Sequence, residues 1–452
     1  MQVWHLLYAR PYTLAMIDLA DLRRRPEAYS DAAKKKHTRF DAAAFLKMDT
    51  ERRELLQVVE EMRGQKNVAS KKIPTLTGKA KDELLATMKE VTKDLKEKED
   101  LLKQIESEWD MAQLRIPAIP LPQVPVGKDD TENREVRRWG DPSTALKVAP
   151  ANAKDHIALG QALDIIDVPR GVKVAGSRFY FLKGDGARLE LAVLQFTLDH
   201  LIQKGFTAFI PPVLANWESM MGTSYFPGGE EQAYALGVRK EREGPIEADG
   251  LYLVGTSEVS VASYHRDETL RADELPKRYC GISNCFRREA GTYGKDTHGL
   301  YRIHQFQKVE QVILCEADPD TSMRLHTEIL QNAEEVLQAL QLPYRIVDVC
   351  TGDMGFGQVY KNDIETWMPS RKGYGETHSC STFYDFQSRR LNIRYEGEDK
   401  KKHFVHTLNN TCIASPRILI PILEIYQNKD GSVTIPEVLR PYMNGQEKIT
   451  RR

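Results

Sequence analysis

The chain has 452 residues, of which 41% are apolar and 29% charged, so it can form two or three domains, each with its own core. Its 64 lysines and arginines against 65 acids leave a net charge of −1. Because the charges balance, the chain is not a polycation, and any nucleic acid would have to be bound by local basic patches. Six cysteines without a C-x-x-C pair argue against a disulfide framework or a cysteine-rich zinc site and favour a reducing compartment.

The first fifteen residues, MQVWHLLYARPYTLA, are apolar and contain no acid. Met16 then opens the segment MIDLADLRRRPE, which looks like a second start. We interpret residues 1–15 as a doubtful N-terminal extension, with an organellar presequence remnant and a genuine strand as the alternatives. No apolar run reaches the roughly 18 residues that span a bilayer, which predicts a soluble protein.

Residues 45–73 and 84–109 carry a heptad pattern, with mostly apolar side chains at alternating spacings of three and four. Pro74 and Gly78 separate the two runs. The pattern predicts an antiparallel coiled-coil hairpin of two helices, each about 30 residues and about 45–50 Å long. Because the apolar stripe is narrow, we expect the hairpin to project into solvent. A dimerisation element or a spacer is the alternative function for this segment.

Proline alternates with apolar residues in IPAIPLPQVPV, residues 116–126, which cannot continue a helix. We therefore assign residues 16–116 to the coiled-coil domain and 117–174 to a linker and connector. The connector contains one helix candidate, HIALGQALDII. Residues 175–452 form the second predicted domain.

The second domain mixes helical and strand patterns. Helices are predicted in GARLELAVLQFTLDHLIQKG, at 320–340 and at 417–427. Strands are predicted in FTAFIPPVL, LYLVGTS, RYCGISNCFRRE, LYRIHQFQKVEQVIL, YRIVDV, STFYDFQSRRLNIRYE and HFVHTLNN. Consecutive strands without a helix between them favour an α+β fold with an antiparallel sheet over a doubly wound parallel sheet. The phosphate loops G-x-x-x-x-G-K-[ST] and G-x-G-x-x-G are missing, so a nucleotide would need other contacts.

Alternation in LYRIHQFQKVEQV places Arg302, His304, Phe306, Lys308 and Glu310 on one face of a strand. Arg302, Phe306 and Glu310 would follow one another at about 13 Å. They offer a cation for a triphosphate, an aromatic plate for a purine and a carboxylate for a small ammonium or hydroxyl group. A solvated strand face with ion pairs is the alternative.

Three shorter patterns add candidate side chains. In FRRE, Arg287 and Glu289 stand two apart on one predicted strand face, and the planar fork of arginine suits phosphoryl oxygens. In GTSEV, Thr256 and Glu258 pair a small donor with a carboxylate. Arg417 stands at the start of a predicted helix, where an ordinary surface ion pair is the alternative.

These motifs make residues 16–443 resemble a seryl-tRNA synthetase, a class II aminoacyl-tRNA synthetase. GFTAFIPPVL resembles the first class II motif, FRREAGTYGKDTHGLYRIHQFQKVEQ the second, NNTCIASPR the third, and GTSEV the Thr-x-Glu loop of the serine enzymes. The third motif departs from the glycine-rich form but keeps Asn409, Thr411 and Arg417. Pro421 in the following helix is unexpected, because proline lacks an N–H. The resemblance implies an antiparallel-sheet catalytic domain behind an N-terminal antiparallel coiled-coil hairpin.

The resemblance also implies site roles. Arg287 and Arg417 would be catalytic, with Arg287 on the α-phosphate and the amino-acid carboxylate. ATP would be bound by Arg287, Glu289 (adenine amino group), Arg302 and Arg417 (terminal phosphates), Phe306 (stacked beneath adenine, with Arg417 nearby), Glu376 and Ser379. Serine would be bound by Thr256, Glu258, Arg287, Glu310, Asn409 and Thr411, with Glu310 and Thr411 at its hydroxyl. Glu376 and Ser379 would ligate a Mg²⁺ that bridges the phosphates.

The implied activity is ATP-dependent attachment of L-serine to tRNA(Ser) through a seryl-adenylate, with tRNA(Sec) left open as a second substrate. The hairpin would carry the tRNA contacts, through Lys79, Lys81, Lys93, Lys96 and Arg63. A cytoplasmic homodimer without membrane association is implied. A catalytically silent binding or assembly protein would be expected to lose arginines or pocket acids, and a carrier-protein aminoacylating relative would be expected to lack the hairpin.

Overall fold

The computed structural model describes residues 16–146, 148, 152–239, 246–291 and 299–451. The predicted extension at 1–15 and part of the second motif's loop, at 292–298, lie outside the described residues. The chain divides into two compact units, Met16–Ile119 and Pro120–Arg452. No helix in the described ranges is long and apolar enough to cross a membrane.

The first unit is helical. Its helices are α1 (Leu19–Arg24), α2 (Pro26–Lys35), α3 (Ala42–Lys72) and α4 (Lys79–Gln113). Helix α3 begins where the Asp41 side chain accepts a hydrogen bond from the Ala44 N–H (3.0 Å), a standard N-cap. A short turn and Gly78, at φ +62°, then reverse the chain into α4. The predicted hairpin of two long helices is confirmed.

The heptad positions form the contact between α3 and α4. The heptad positions predicted from the sequence are all buried or half-buried: Phe45, Met48, Arg52, Leu55, Val59, Met62, Lys66, Ala69 and Ile73 in the first run, and Leu84, Met88, Val91, Leu95, Lys98, Leu102, Ile105 and Trp109 in the second. Val59 packs in one apolar cluster with Leu95 and Leu102. The polar seam residue Arg52 fits because its guanidinium lies 4.2 Å from the ring centroid of Trp109. Its charge therefore faces an aromatic ring, while its stem supplies apolar contact.

The second unit contains short helices, two long ones and many strands. The helices are α5 (Pro142–Ala145), α6 (His156–Ala162), α7 (Val168–Ala175), α8 (Asp185–Gln203), α9 (Trp217–Gly222), α10 (Glu258–Ala262), α11 (Pro319–Ala339), α12 (Phe386–Leu391) and α13 (Leu419–Ile425). The strands are β1 (Arg134–Trp139), β2 (Ile166–Asp167), β3 (Phe181–Leu182), β4 (Thr207–Phe209), β5 (Leu214–Asn216), β6 (Tyr234–Arg239), β7 (Ile246–Leu253), β8 (Thr269–Arg271), β9 (Lys277–Phe286), β10 (Gln305–Cys315), β11 (Tyr344–Asp348), β12 (Tyr360–Met368), β13 (Gly373–Tyr384), β14 (Arg394–Glu396), β15 (Lys402–Phe404), β16 (His406–Ser415), β17 (Val433–Thr434) and β18 (Lys448–Ile449).

In the described part of the chain, eight strands form the main sheet in the order β1-β11-β12-β13-β16-β10-β9-β4. Neighbours pair antiparallel except β4 with β9, which confirms the α+β fold with an antiparallel sheet. Helices α8 and α11 share the largest apolar core with the central strands. The edge strand β1 comes from the segment that the sequence predicts as a connector.

The single strand predicted over 381–396 is wrong in its middle, since its first residues belong to β13 and its last three form β14. Strand β13 ends at Tyr384, and α12 follows until Asn392 adopts a left-handed conformation, with φ +53°. Asp385 and Arg389 form an ion pair across one helical turn (2.7 Å), and Leu391 is buried in an apolar cluster. Tertiary packing and a local ion pair therefore outweigh the alternating pattern.

Pro421 does not disturb α13, the helix that follows Arg417. Helix α13 begins at Leu419, so Pro421 stands in the first turn, where an N–H would have no partner within the helix. The Ile422 N–H donates to the Ile418 carbonyl (3.4 Å). The missing N–H of Pro421 therefore costs the helix no internal hydrogen bond.

Candidate active site

One cleft collects most of the predicted site residues. Most of its lining residues lie on β10, β13, β16 and α10, on the segments that follow β9 and precede β10, and just before α13. Nine of the predicted residues line it: Glu258, Arg287, Glu289, Phe306, Glu376, Ser379, Asn409, Thr411 and Arg417. The other three contact members of that set: Glu310 through Asn409, Arg302 through Glu289, and Thr256 through Glu258.

Glu310 is the most deeply buried of these residues, with 0% exposure. One of its carboxylate oxygens accepts a hydrogen bond from Asn409 Nδ2 (2.8 Å), and the other accepts from Thr411 Oγ1 (3.2 Å). The second oxygen also pairs with the ammonium group of Lys308, which is itself buried. The pairing of β10 with β16 brings Glu310 opposite Thr411. Together these groups form a small polar niche.

Glu258 supplies a second carboxylate to the niche. Its Oε1 accepts from Gln387 Nε2 (2.8 Å), and its Oε2 accepts from the Tyr225 hydroxyl and Asn409 Nδ2 (both 3.1 Å). Burial, helped by the neighbouring charge of Glu310, raises the pKa of Glu258 to about 7. The niche contains two carboxylates and only one lysine, so one more positive group, such as a small ammonium group, would balance its charge.

Arginines and an aromatic ring lie at the next part of the cleft. Arg287 Nε donates to the Gly255 carbonyl (3.3 Å), and its guanidinium carbon lies 5.2 Å from the ring centroid of Phe306. Arg302 Nη1 donates to Glu289 Oε2 (2.6 Å). An aromatic plate, two guanidinium groups and a carboxylate thus stand within one site. These are groups that can stack a purine, bind phosphates and accept from an amino group.

Arg417 is held by main-chain oxygens. Its Nε donates to the Tyr301 carbonyl (3.1 Å), its Nη1 donates to the Glu376 carbonyl (2.9 Å), and its guanidinium lies 4.5 Å from the Tyr301 ring centroid. Partial loss of hydration in the cleft acts to raise the pKa of Glu376, but the charges of Arg417, Lys361 and Arg287 outweigh it and lower that pKa. This end of the cleft is therefore cationic and keeps a carboxylate ionised.

Glu376 and Ser379, the predicted metal ligands, both stand on β13 and both line the cleft. The Glu376 side chain is 47% exposed, so its oxygens are accessible. Mg²⁺ usually takes one or two protein oxygens when phosphates supply its other ligands, and this donor set fits that requirement. Among the described residues, no group of three His, Cys, Asp or Glu side chains could by itself hold a metal ion.

Two predictions of local geometry are wrong, although the residues converge. Strand β9 ends at Phe286, so Arg287 and Glu289 follow the strand, and Glu289 has φ +51°. Strand β10 begins at Gln305, so Arg302 precedes it and does not share a strand face with Glu310. Chain reversals after β9 and before β10 bring these groups together where an extended strand would separate them.

Alternation holds within β10 itself: its register with β9 is regular through Glu310, Phe306 and Lys308 both line the cleft, and the Lys308 ammonium group pairs with Glu310. The β-bulge lies in the partner strand β16, where Cys412 is the extra residue between Thr411 and Ile413, and bulges are common near functional sites. His304, predicted on the same face, donates from its Nδ1–H to the Arg287 carbonyl (2.9 Å) and lies against the ring of Phe179. It supports the chain beside the cleft and does not line it.

Three side chains of the niche have no role in the sequence prediction. Lys308 stands two residues before Glu310, so its place in the alternating segment was a usable signal for the ion pair. Tyr225 and Gln387 both contact Glu258 but belong to distant segments, and Gln387 lies in the helix that the sequence suggests is a strand. No local pattern identifies either of them.

The histidine and cysteines near the motifs are buried. His378 lines the cleft, and burial lowers its pKa to about 3. Cys380 and Cys412 have 0% exposure, and burial raises the pKa of both thiols. Neutral, buried thiols are poor nucleophiles, so these residues suit packing.

Two families match most of this chain. Residues 16–120 match the family described as the seryl-tRNA synthetase N-terminal domain, and residues 242–426 match the tRNA synthetase class II core domain (G, H, P, S and T). A serine–tRNA ligase of Deinococcus radiodurans is 44% identical over 434 residues, which cover 96% of this chain and 99% of that protein. One of Carboxydothermus hydrogenoformans is 44% identical over 441 residues, covering 97% and 100%.

Solved structures show the same similarity. The seryl-tRNA synthetase of Pyrococcus horikoshii complexed with ATP superposes with a TM-score of 0.84 at 37% identity, covering 96% of this chain and 100% of that one. The cytoplasmic serine–tRNA ligase of Naegleria fowleri in complex with AMP gives a TM-score of 0.80 at 31% identity, covering 94% and 96%.

Proposed function

The chain belongs to the seryl-tRNA synthetase family, and from that premise we propose that it attaches L-serine to tRNA(Ser) with ATP, through a seryl-adenylate. One observation carries the proposal: a buried niche of two carboxylates, Glu258 and Glu310, opens into the same cleft as Arg287 and Arg417. The niche suits a small amino acid with an ammonium group. The arginines suit the phosphates of ATP.

In the first step, the serine carboxylate attacks the α-phosphorus of ATP, a new P–O bond forms, and the bond to pyrophosphate breaks. The carboxylate is already a nucleophile, so positioning and charge stabilisation suffice. We assign the α-phosphate and serine carboxylate to Arg287, and the terminal phosphates to Arg302 and Arg417. Mg²⁺, held by Glu376 and Ser379, would neutralise phosphate charge.

The adenine would stack on Phe306 and place its amino group at Glu289. In the second step, a hydroxyl of the terminal adenosine of tRNA attacks the acyl carbon and displaces AMP. The serine ammonium would pair with Glu258, with Thr256 and Asn409 close by, and the serine hydroxyl would meet Glu310 and Thr411. An amino acid without that hydroxyl leaves buried polar groups unpaired, which gives strong discrimination against alanine.

Serine-dependent exchange of pyrophosphate into ATP tests this function. We expect exchange with serine and Mg²⁺ and none with alanine, since alanine cannot satisfy Glu310 and Thr411. Charging of tRNA(Ser) should follow when tRNA is added. A folded protein that supports no exchange with serine would instead match the silent binding protein, and exchange without tRNA charging would match a carrier-protein relative.

The raised pKa of Glu258 predicts a pH dependence for serine. Below pH about 7 the carboxyl is protonated and cannot pair with the serine ammonium, so the KM for serine should rise about tenfold per pH unit as the pH falls. Above pH about 7 the KM should level off. Glu258→Gln should raise the KM and remove its slope between pH 6 and 8. A slope that persists in this variant would assign the titration to another group.

We propose that the hairpin of α3 and α4 binds the long arm of tRNA. Lys93 and Lys96 are exposed on α4, where they can meet phosphates of an RNA backbone read by shape. Arg63 is less suited than the sequence suggests, because its Nε donates to Glu99 Oε1 (2.8 Å) between the helices. The contact should weaken with salt.

Reversing both lysines, Lys93→Glu with Lys96→Glu, should raise the KM for tRNA(Ser) about tenfold or more, because two phosphate contacts become repulsive. Serine-dependent pyrophosphate exchange, which needs no tRNA, should not change. Lys429→Glu, an exposed reversal in the second unit, provides the charge control. An equal effect of Lys429→Glu on tRNA would place binding outside the hairpin.

We also infer a homodimer. Large apolar side chains stay exposed on α8 and on the segment after β4: Leu191 at 61%, Ile202 at 47% and Ile210 at 90%. Ile210 belongs to the predicted first motif and the other two to the helix that leads into it, and a second copy of the chain would cover all three. A cytoplasmic location is supported by six cysteines that are all buried and unpaired, as in a reducing compartment.

A further inference from the structure

Two guanidinium groups lie against one aromatic ring at the cleft. The Tyr301 ring centroid is 4.5 Å from the guanidinium carbon of Arg417 and 4.2 Å from that of Arg371. Arg417 and Tyr301 line the cleft, whereas Arg371 stands in the turn between β12 and β13. The ring attracts both cations, so the placement of Tyr301 and of that turn decides where the Arg417 guanidinium rests. We call Arg371, Tyr301 and Arg417 the arginine–tyrosine stack.

A fully buried carboxylate, Glu424 on α13, forms a hydrogen bond to the backbone beside one member of this stack. Its Oε2 accepts a hydrogen bond from the Ser370 N–H (2.9 Å), the residue directly before Arg371. Its Oε1 accepts from the His156 N–H (3.0 Å) and contacts His156 Nδ1 (2.7 Å). Glu424 also stands on the helix that follows Arg417. One side chain is therefore linked to two members of the stack.

His156 extends the link to the third member. Its Nε2 accepts a hydrogen bond from the Leu300 N–H (3.1 Å), the residue directly before Tyr301. An imidazole whose Nε2 accepts carries its proton on Nδ1, and that N–H donates to Glu424. The approach is close: a Cβ on Gly299, at φ +95°, would lie 2.6 Å from His156 Nε2. Side chains larger than hydrogen do not fit there.

We propose that Glu424, acting directly and through His156, is a positioning residue that sets the arginine–tyrosine stack and so aims Arg417 at the phosphates of ATP. Neither side chain lines the cleft, so neither touches a substrate. The proposal rests on the assignment of Arg417 to ATP in the proposed function. A merely structural role would lower stability without separating ATP from serine.

Glu424→Gln tests the proposal. All the neighbours of Glu424 in this network donate, so a Gln side chain must place its NH₂ against a donor and break one link. We expect the KM for ATP in pyrophosphate exchange to rise about tenfold or more, as for the loss of a hydrogen bond to a charged group. The KM for serine should stay within about twofold, because the niche on β10, β16 and α10 is untouched. Glu437→Gln, at an exposed position, is the matched control.

His156→Ala is the second variant, and it decides the matter if Glu424→Gln does not fold. It removes the link to Leu300 but leaves the backbone N–H bonds to Glu424, so it should raise the KM for ATP by a similar factor. Arg371→Ala changes an exposed turn residue. It should raise the KM for ATP by a larger factor in the wild-type background than in the Glu424→Gln background, because both substitutions act on one stack.

The outcomes separate the two hypotheses. If the wild-type protein shows no serine-dependent exchange, the proposed function fails. If the wild type is active but the folded variants change neither KM, or raise the KM for ATP and serine equally, the positioning role is wrong and the proposed function stands. Thermal unfolding of each variant confirms that exchange is measured on folded protein.

Discussion

Replacing Glu310 by alanine is expected to abolish serine-dependent pyrophosphate exchange and to lower the melting temperature. The substitution removes the partner of the buried ammonium group of Lys308 and two hydrogen bonds, from Asn409 and Thr411. Breaking a buried ion pair on one side costs about 3–5 kcal/mol. A loss of about 3–5 kcal/mol at the serine contacts corresponds to a fall of about 100- to 4,000-fold in kcat/KM for serine.

A double variant separates the two effects. Lys308→Met with Glu310→Gln removes both charges but keeps an amide that can pair with Asn409, so stability should recover most of the loss. Exchange should stay absent, because the serine contact with the carboxylate is still missing. A Glu310→Ala protein that unfolds at the wild-type temperature would contradict the buried ion pair. Recovery of exchange in the double variant would contradict the serine assignment.

Replacing Arg287 by alanine should lower kcat/KM about 100- to 1,000-fold for both ATP and serine. Arg287 is proposed to meet both the α-phosphate and the serine carboxylate, and loss of one donor to transition-state charge has effects of this size. Because the side chain is half-buried and its protein contacts are a hydrogen bond to Gly255 and the Phe306 ring, the melting temperature should change little.

Two variants sharpen the measurement at Arg287. Arg287→Lys keeps the charge but not the planar fork, so it should recover only part of the activity. Arg288→Ala changes the exposed neighbour and should leave exchange near wild type. If Arg288→Ala were as damaging as Arg287→Ala, the loss would reflect the local chain and not a phosphate contact.

The sequence predicts periodic elements well. The hairpin of α3 and α4 follows from one heptad pattern, because side chains that pack in a regular seam leave a regular trace in the sequence. The sequence predicts the site residues for a different reason, because each motif places its polar groups within a few residues of one another. Their convergence in one cleft was predicted by the resemblance and is seen in the structure.

Features that depend on distant packing were not predictable. The bond from His156 to Glu424 joins residues 268 positions apart, and no local pattern marks either partner. The alternating pattern of the α12 segment predicts a strand. The packing against the sheet that favours a helix there depends on distant residues and leaves no local pattern. Strand β12 is not predicted, because Asn362 and Asp363 are polar and yet buried: Asn362 bonds to Asp348 on the neighbouring strand β11, and Asp363 pairs with Lys361 on β12 itself.

The two edges of the main sheet differ in their chemistry. Edge strand β1 is largely exposed and rich in arginine, and its Arg134 and Arg137 are engaged with Asp348 and Glu334. Such a charged border resists the addition of a foreign strand. At the opposite border, β4 has only three residues and is followed by the exposed side chain of Ile210. The homodimer that we propose would therefore use the β4 border, and with the β1 border blocked a closed pair would be favoured over growth into a fibre.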